Sequence, residues 1–407
     1  MSLNNVYIPY GGYWSTPFAK WQGSFANLHP IKFAAEVTVK ALEEKEIEVQ
    51  EFSSLYLGMT IPAKNSFYGT PWLAGLIGAE AITGPHFSQA CATSARVIGS
   101  AAYEIESGNG PQPTILCITA DRTSNGPHLI YPNPLAPGGR GDSEDWVWDN
   151  FNRDPHARNS MIQTAENVAG EYEISTSEQH QVVLMRYAQY EQALADDSAF
   201  QKRYMVTPIE VNPSGRKVVA TVTGDEGIFP TTADGLARLK PVMPQGTVTF
   251  GDQTFPADGG AGMIVTSQDR ARELSSDPEI EIRLLSFAEG RAEKGFMPKA
   301  NLPAVERALD NAGITLDEIQ AIKTHNPFAV NDCLLNRELR IPLEAMNNYG
   351  SSLIWGHPQG PTGMRLIIEL IEELVLAGGG YGLFTGCAAG DTAAAVVLEV
   401  RSSGMGV

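Results

Sequence analysis

The chain has 407 residues, which at roughly 150 residues per domain predicts two or three domains. Hydrophobic residues make up 43% and charged residues 19%, enough apolar material for sizeable cores, and wholesale disorder is excluded. With 47 acidic and 29 basic side chains the formal net charge is -18, which argues against the broad basic face that nucleic acid or an anionic membrane surface requires.

No apolar run approaches the ~20 residues needed to span a bilayer. The opening MSLNNVYIPYGGYWS has neither a basic nor an apolar region of the secretory kind, so no signal peptide is expected. The four cysteines, Cys91, Cys117, Cys333 and Cys387, form no CxxC pair and are too few for a disulfide framework. A reducing cytoplasm is the simple reading, and a special cysteine would be a reactive thiol.

In chain order, Ile31 to Glu44 has helical spacing and Phe52 to Met59 is apolar enough for a strand. Ala92 to Ser107 reads as a helix of small and apolar residues, and TILCITA (Thr114 to Ala120) as a buried strand. From Asp121 to about Arg158 the chain is dense in Pro, Gly, Asp, Asn and Trp, the composition of a long ordered loop. Helical patterns return from Met161 to Ala195, followed by a short strand at Val218 to Val222. Asp121 to about Gln245 is therefore read as an inserted loop domain. Strands are predicted at Thr247 to Phe250 and Gly262 to Thr266.

The last third alternates again. Ile280 to Ser286 and Ile319 to Lys323 read as strands, Leu302 to Ala312 and Thr362 to Ala377 as helices, and Tyr381 to Thr385 and Ala394 to Val400 as strands. A weak echo is visible: a helix after Cys91 leads into one buried strand, and a helix after His357 leads into another. Two α/β halves built alike would produce it; chance similarity is the competing explanation.

Four segments could carry chemistry. SQACATSARVIG places Cys91 at the entry to a helix, where free N–H groups and the positive dipole end lower a thiol pKa. A nucleophilic thiol needs that lowering or a neighbouring base. WGHPQGPTGMR sets His357 among glycines and prolines that fix a backbone-determined loop. IKTHNPFAVND puts His325 and Asn326 just after a strand, a common place for site residues in α/β folds. LFTGCAAGDTAAA ends a strand at Cys387, with small side chains that let main-chain N–H groups approach a ligand. Each has a structural alternative: a buried small cysteine, a helix-entry turn, a core or capping histidine. Metal-ligand spacing is absent among the Cys and His residues, so no metal is expected, and no GxxxxGK[ST] or GxGxxG follows a strand.

Together the segments run Cys, His, His, Cys across two similar halves, and in this order they resemble the thiolase superfamily. STPFAKWQGSF is similar to its N-terminal signature, MIQTAENVA (Met161 to Ala169) to its loop-domain motif, and GHPQGPTG to its histidine loop. DEGIFPTTADGLARLKP (Asp225 to Pro241) and GTVTFGDQTFPADGGA (Gly246 to Ala261) extend the resemblance over nearly the whole chain. The resemblance implies a five-layered αβαβα fold of two similar halves: residues 1–120 with 246–270, and 271–407, with a coenzyme A-covering loop domain at 121–245. It implies a homodimer or homotetramer, with the Cys91 helix and TILCITA as interface material. The function implied is reversible Claisen condensation and thiolytic cleavage of a 3-oxoacyl-CoA, acetoacetyl-CoA being one candidate. Coenzyme A and acetyl-CoA enter as substrates, and no permanently bound cofactor is expected.

Residue by residue, Cys91 matches the nucleophile, His357 the base that activates it, and Cys387 the thiol that moves the α-proton. His325 with a bound water matches one oxyanion hole; the N–H groups of Cys91 and Ala389 match the other, where losing a donor costs on the order of 3 kcal/mol. Met161, Thr254, Phe328 and Gly390 are expected to meet the substrate. Arg153, Arg158, Arg216 and Lys217 are candidates for the 3′-phosphate. Ser88, Ser94, Ser160, Ile162, Gln253, Thr254 and Ala389 depart from the usual residues, which alters the pocket lining more than the catalytic set. The alternatives are a ketoacyl-synthase-like or other thiolase-fold acyltransferase, which Cys387 opposes, and a non-catalytic lipid-binding or scaffold relative, which four intact catalytic positions oppose.

Overall fold

The computed structural model describes residues 2–108 and 113–402; Met1, 109–112 and 403–407 lie outside the described residues, the two ends of the expected division among them. Long apolar runs become strands buried on both faces. Ala257–Val265 is buried throughout, and Ile115–Arg122 nearly so. The first sheet runs Tyr13–Ser15, Ala257–Val265, Ile115–Arg122, Ser54–Gly58, His86–Phe87. The second runs Tyr7–Ile8, Ile280–Arg291, Thr392–Ser402, Gly380–Ala388, Ile319–His325. Both repeat one pattern: a central strand pairs antiparallel on one side and parallel on the other. The echo seen in the sequence is thus a repeated fold. Tyr7–Ile8 pairs with Ile280–Arg291, so the first strand completes the sheet of the second half.

Helices Thr93–Ser107 and Gly360–Ala377 lie between the sheets and touch strands of both. Gly360 through Leu374 are all buried, which only a helix enclosed on every side tolerates. Pro30–Glu44 and Gly69–Leu76 cover the outer face of the first sheet, and Asn301–Ala312 that of the second. The result is five layers, αβαβα. The two central helices cross closely. A Cβ on Gly363 would come 3.2 Å from that of Ser94, and the Ser94 hydroxyl donates to the Gly360 carbonyl.

Two expectations need correction and one, the helical patterns from Met161 to Ala195, gains detail. Thr247 to Phe250 is not a strand. The Thr249 hydroxyl accepts the Gly251 N–H, and the Asp252 carboxylate accepts the Thr249 N–H and hydroxyl; this capping curls the chain into the turn Phe250–Asp252. The helical stretch from Met161 is two helices, Met161–Glu171 and Thr176–Ala193, the second opened by a Ser175–Glu178 capping box. The second correction concerns the Cys91 helix and TILCITA, which spend their apolar faces inside the chain, one between the sheets and the other as an inner strand, so neither is free to form an interface. The Val218 to Val222 strand is present at Ala220–Val222, paired with Ile209–Val211.

The stretch between the paired strands Ile115–Arg122 and Ala257–Val265 is clamped to the core by buried ion pairs. Arg365 on the central helix meets Asp225 at 2.6 and 2.8 Å and Glu369 at 3.0 Å, and Arg186 meets Asp332 at 2.9 Å. Removing one partner leaves an uncompensated buried charge. Asp225→Ala should therefore lower unfolding free energy by about 3–5 kcal/mol in a denaturant titration. A loss below about 1 kcal/mol, the range of an exposed pair, would contradict the clamp.

Candidate active site

Cys91 sits between His86–Phe87 and helix Thr93–Ser107, on a tight turn in which Ala90 has φ 44° and Thr93 Oγ1 donates to the Ala90 carbonyl at 2.7 Å. His357 follows Gly356, whose φ of 93° suits glycine, and is pinned to Phe255–Ala257 by main-chain bonds of 2.9 and 3.2 Å. His325 ends one strand and pairs with Gly386, next to Cys387 on the adjacent strand. Gly386 leaves the room: a Cβ there would come 2.8 Å from that of His325.

These far-separated residues converge. Cys91 Sγ lies 3.1 Å from His357 Nε2, and the His325 and His357 ring centroids are 4.1 Å apart. The Cys387 thiol accepts a hydrogen bond from Asn331 Nδ2 at 3.1 Å and stands close enough to Cys91 for charge on one sulfur to raise the pKa of the other. The Ala389 and Cys91 N–H groups both approach the Cys91 sulfur.

Each histidine is oriented from behind. His357 Nδ1 is 2.6 Å from Thr362 Oγ1, which leaves Nε2 to accept the Cys91 proton. His325 Nδ1 is 2.8 Å from Ser352 Oγ, whose own proton goes to Asn326 Oδ1 at 3.2 Å. His325 Nε2 is buried without a partner.

Burial pushes the Cys91 thiol up to about 12, against the opposing pull of the Ala389 and Cys91 N–H groups. The helix-entry lowering expected for this thiol is outweighed. Burial takes His357 down to about 3 and His325 well below its ordinary value. The shifts favour a neutral thiol beside a neutral imidazole, an arrangement in which a proton leaving Cys91 has an adjacent base to receive it. A histidine lowered on folding stabilises the fold above the unfolded value near 6.5 and loses that contribution as pH falls toward 3. Stability should decline across that window, and His357→Asn should flatten part of the decline. Parallel curves for the two proteins would contradict the assignment.

Above the sulfur opens a cavity of about 610 Å³. Cys91, Met161, Thr254, Phe328, His357 and Ala389 line it; Gly390 stands outside the wall, in a turn with φ 85°. Thr254 donates its hydroxyl to the Ser352 carbonyl. Trp146, Trp148, Phe151, Phe250 and Phe255 give the wall an aromatic character, and no Asp, Glu, Lys or Arg is among its lining residues. Arg153, Arg158, Arg216 and Lys217 are likewise absent from it.

Sequence reasoning missed Asn331, Ser352, Thr362 and Gln359. Only Gln359 carried a signal: a polar residue inside GHPQG itself. Its backbone is strained at φ 63°, ψ -100°, and its Oε1 lies 3.3 Å from Cys91 Sγ. Gln359 also holds a hydrogen bond to His357. Gln359→Leu should slow acylation of Cys91 by about tenfold or more, the worth of a hydrogen bond to a group that becomes charged. Single-turnover acylation measures it, and an unchanged rate would remove Gln359 from the proton path.

Residues 13–269 match the model for the thiolase N-terminal domain, and 279–400 that for the thiolase C-terminal domain. The chain belongs to the thiolase family. It is similar to the acetyl-CoA acetyltransferase of Paracoccus denitrificans, 29% identical over 94% of this chain and 97% of that protein. Among solved structures, the Bacillus anthracis acetyl-CoA acetyltransferase matches with TM-score 0.88 and 26% identity, over 98% of this chain and 99% of that one. Human mitochondrial 3-ketoacyl-CoA thiolase in complex with CoA shares the fold with TM-score 0.88 at 23% identity, over 99% of this chain and 100% of that one. This thiolase is an acyltransferase acting on coenzyme A thioesters. No described helix is long and apolar enough to cross a membrane.

Proposed function

We propose that this thiolase makes and breaks 3-oxoacyl-CoA through an acyl group on Cys91. The observation that carries this is the 3.1 Å contact between Cys91 Sγ and His357 Nε2 at the cavity floor, with the Cys387 thiol beside it. Cys91 attacks the thioester carbonyl while His357 takes its proton, and the Cys91 and Ala389 N–H groups receive the oxyanion. The tetrahedral intermediate expels coenzyme A, which takes the proton from His357. His357, neutral again, takes the Cys387 proton; the Cys387 thiolate so formed removes an α-proton from a second acyl-CoA and is a thiol once more, and His325, through a bound water, holds the enolate oxygen. The enolate carbon attacks the acyl-Cys91 carbonyl, the sulfur leaves, and His357 returns its proton. Thiolysis is the same path reversed.

The uncharged, aromatic wall supports an uncharged acyl chain, acetoacetyl or longer; a chain ending in carboxylate would find no counter-charge there. The chain works in the cytoplasm, where four unpaired cysteines are the expected state. It acts as a homodimer or homotetramer, in which exposed Phe67, Ile130 and Leu135 are surface for a second copy to cover. Its place is in fatty acid metabolism. The test is intact-protein mass spectrometry after mixing with acetyl-CoA: one acetyl group on Cys91 is expected, and its absence overturns the reading.

A further inference from the structure

No metal is expected from the spacing of the cysteines and histidines, yet the fold brings three soft donors together. One donor atom from each of Cys91, His325 and His357 lies within 4.8 Å of the others. The liganding atoms of a tetrahedral zinc, bound at about 2.0–2.3 Å, stand roughly 3.3–3.6 Å apart. The Cys91 sulfur and His357 Nε2 are already at 3.1 Å; the His325 ring, tilted 31° from that of His357, has to rotate to bring its nitrogen into the set.

The outer contacts are of the kind that prepare imidazoles for a metal. Both Nδ1 atoms are tied to hydroxyls, His325 to Ser352 at 2.8 Å and His357 to Thr362 at 2.6 Å. The Ser352 proton is spent on Asn326, so His325 Nδ1 is the donor of its pair and Nε2 keeps a lone pair. That Nε2 is unpartnered on a side chain only 1% exposed. Cys91 and His357 line the open cavity, which gives a hydrated ion a way in and leaves a fourth position for water.

We propose that Cys91, His325 and His357 form a site for a soft divalent cation, zinc above all, which reversibly blocks acyl transfer by taking the nucleophile as a ligand. On binding, the Cys91 thiol releases its proton to solvent, a sulfur–metal bond replaces it, and the ion loses waters to the two imidazoles; no electron is transferred. Hard cations such as magnesium need a shell of oxygen ligands; beside two imidazoles and a sulfur, Gln359 Oε1 does not supply one, and magnesium is expected not to bind. Metal and acyl group exclude each other, since one sulfur cannot carry both. The binding stands on the geometry alone; the block of acyl transfer rests on the thiolase reading.

The test is titration of the purified enzyme with cobalt, read by its thiolate-to-cobalt absorption. One saturable equivalent per chain is expected, displaced by zinc and indifferent to magnesium. Cys91→Ser should abolish the band, His325→Asn should weaken binding about tenfold or more, and acetylated enzyme should show none. No band at millimolar cobalt, a band unchanged in Cys91→Ser, or full affinity in His325→Asn overturns the site. Enzyme that takes an acetyl group but no metal sinks this proposal alone; enzyme that takes metal but no acetyl group sinks the thiolase reading and leaves the site standing.

Discussion

Cys91→Ala is expected to form no acyl-enzyme and to lose turnover by on the order of 10⁴-fold or more. The reason is positional. The sulfur is the only nucleophile within hydrogen-bond reach of His357 Nε2, at 3.1 Å, among the described residues. Removing it leaves a base with nothing to activate and forces the whole reaction into one step with a higher barrier. The backbone around it is set by Ala90 and Thr93, not by the thiol, so the fold should survive. Thermal melting would show that, and mass spectrometry with a thiolysis assay would read the loss. Turnover within about tenfold of wild type would place the nucleophile elsewhere.

Cys387→Ala should separate the two half-reactions. Acetylation of Cys91 is expected to persist, because neither the Cys91–His357 contact nor the Ala389 N–H depends on the second sulfur. Condensation and α-proton exchange should fall about 10²–10⁴-fold, the usual worth of a positioned acid–base group. Burial raises the Cys387 thiol well above its ordinary value, so it does not stand ionised at neutral pH. The amide of Asn331, 3.1 Å away, is the donor that steadies the sulfur when charge forms on it. Solvent deuterium entering the methyl group of acetyl-CoA measures the proton step directly. Equal losses in acetylation and exchange would mean that Cys387 supports the pocket and does not move the proton.

The amino-acid sequence by itself determined the alternation of helix and strand and the four residues at strand or loop-to-helix junctions; the weak echo between its halves became a repeated fold only in the pairing of the two sheets. The first two are local properties: an apolar run such as TILCITA, or a helix entered from GHPQGPTG, carries its signal within a dozen neighbours. Thr247 to Phe250 misled for the same reason. Its apolar, β-branched composition favours a strand, but the hydroxyl and carboxylate of Thr249 and Asp252 compete for the backbone and win.

Only the tertiary structure decided what the four residues do to one another. Cys91 and His357 meet across 266 positions of chain, and the burial that joins them moves both pKa values away from an ion pair. No local pattern encodes that, because desolvation depends on what every other layer covers. The buried Asp225–Arg365 pair, the Asn331 donor and the grouping of two imidazoles with one thiol arise likewise from elements distant in the chain. Covalent order supplies the groups; the packing of two sheets around two central helices supplies their distances, and the chemistry follows from the distances.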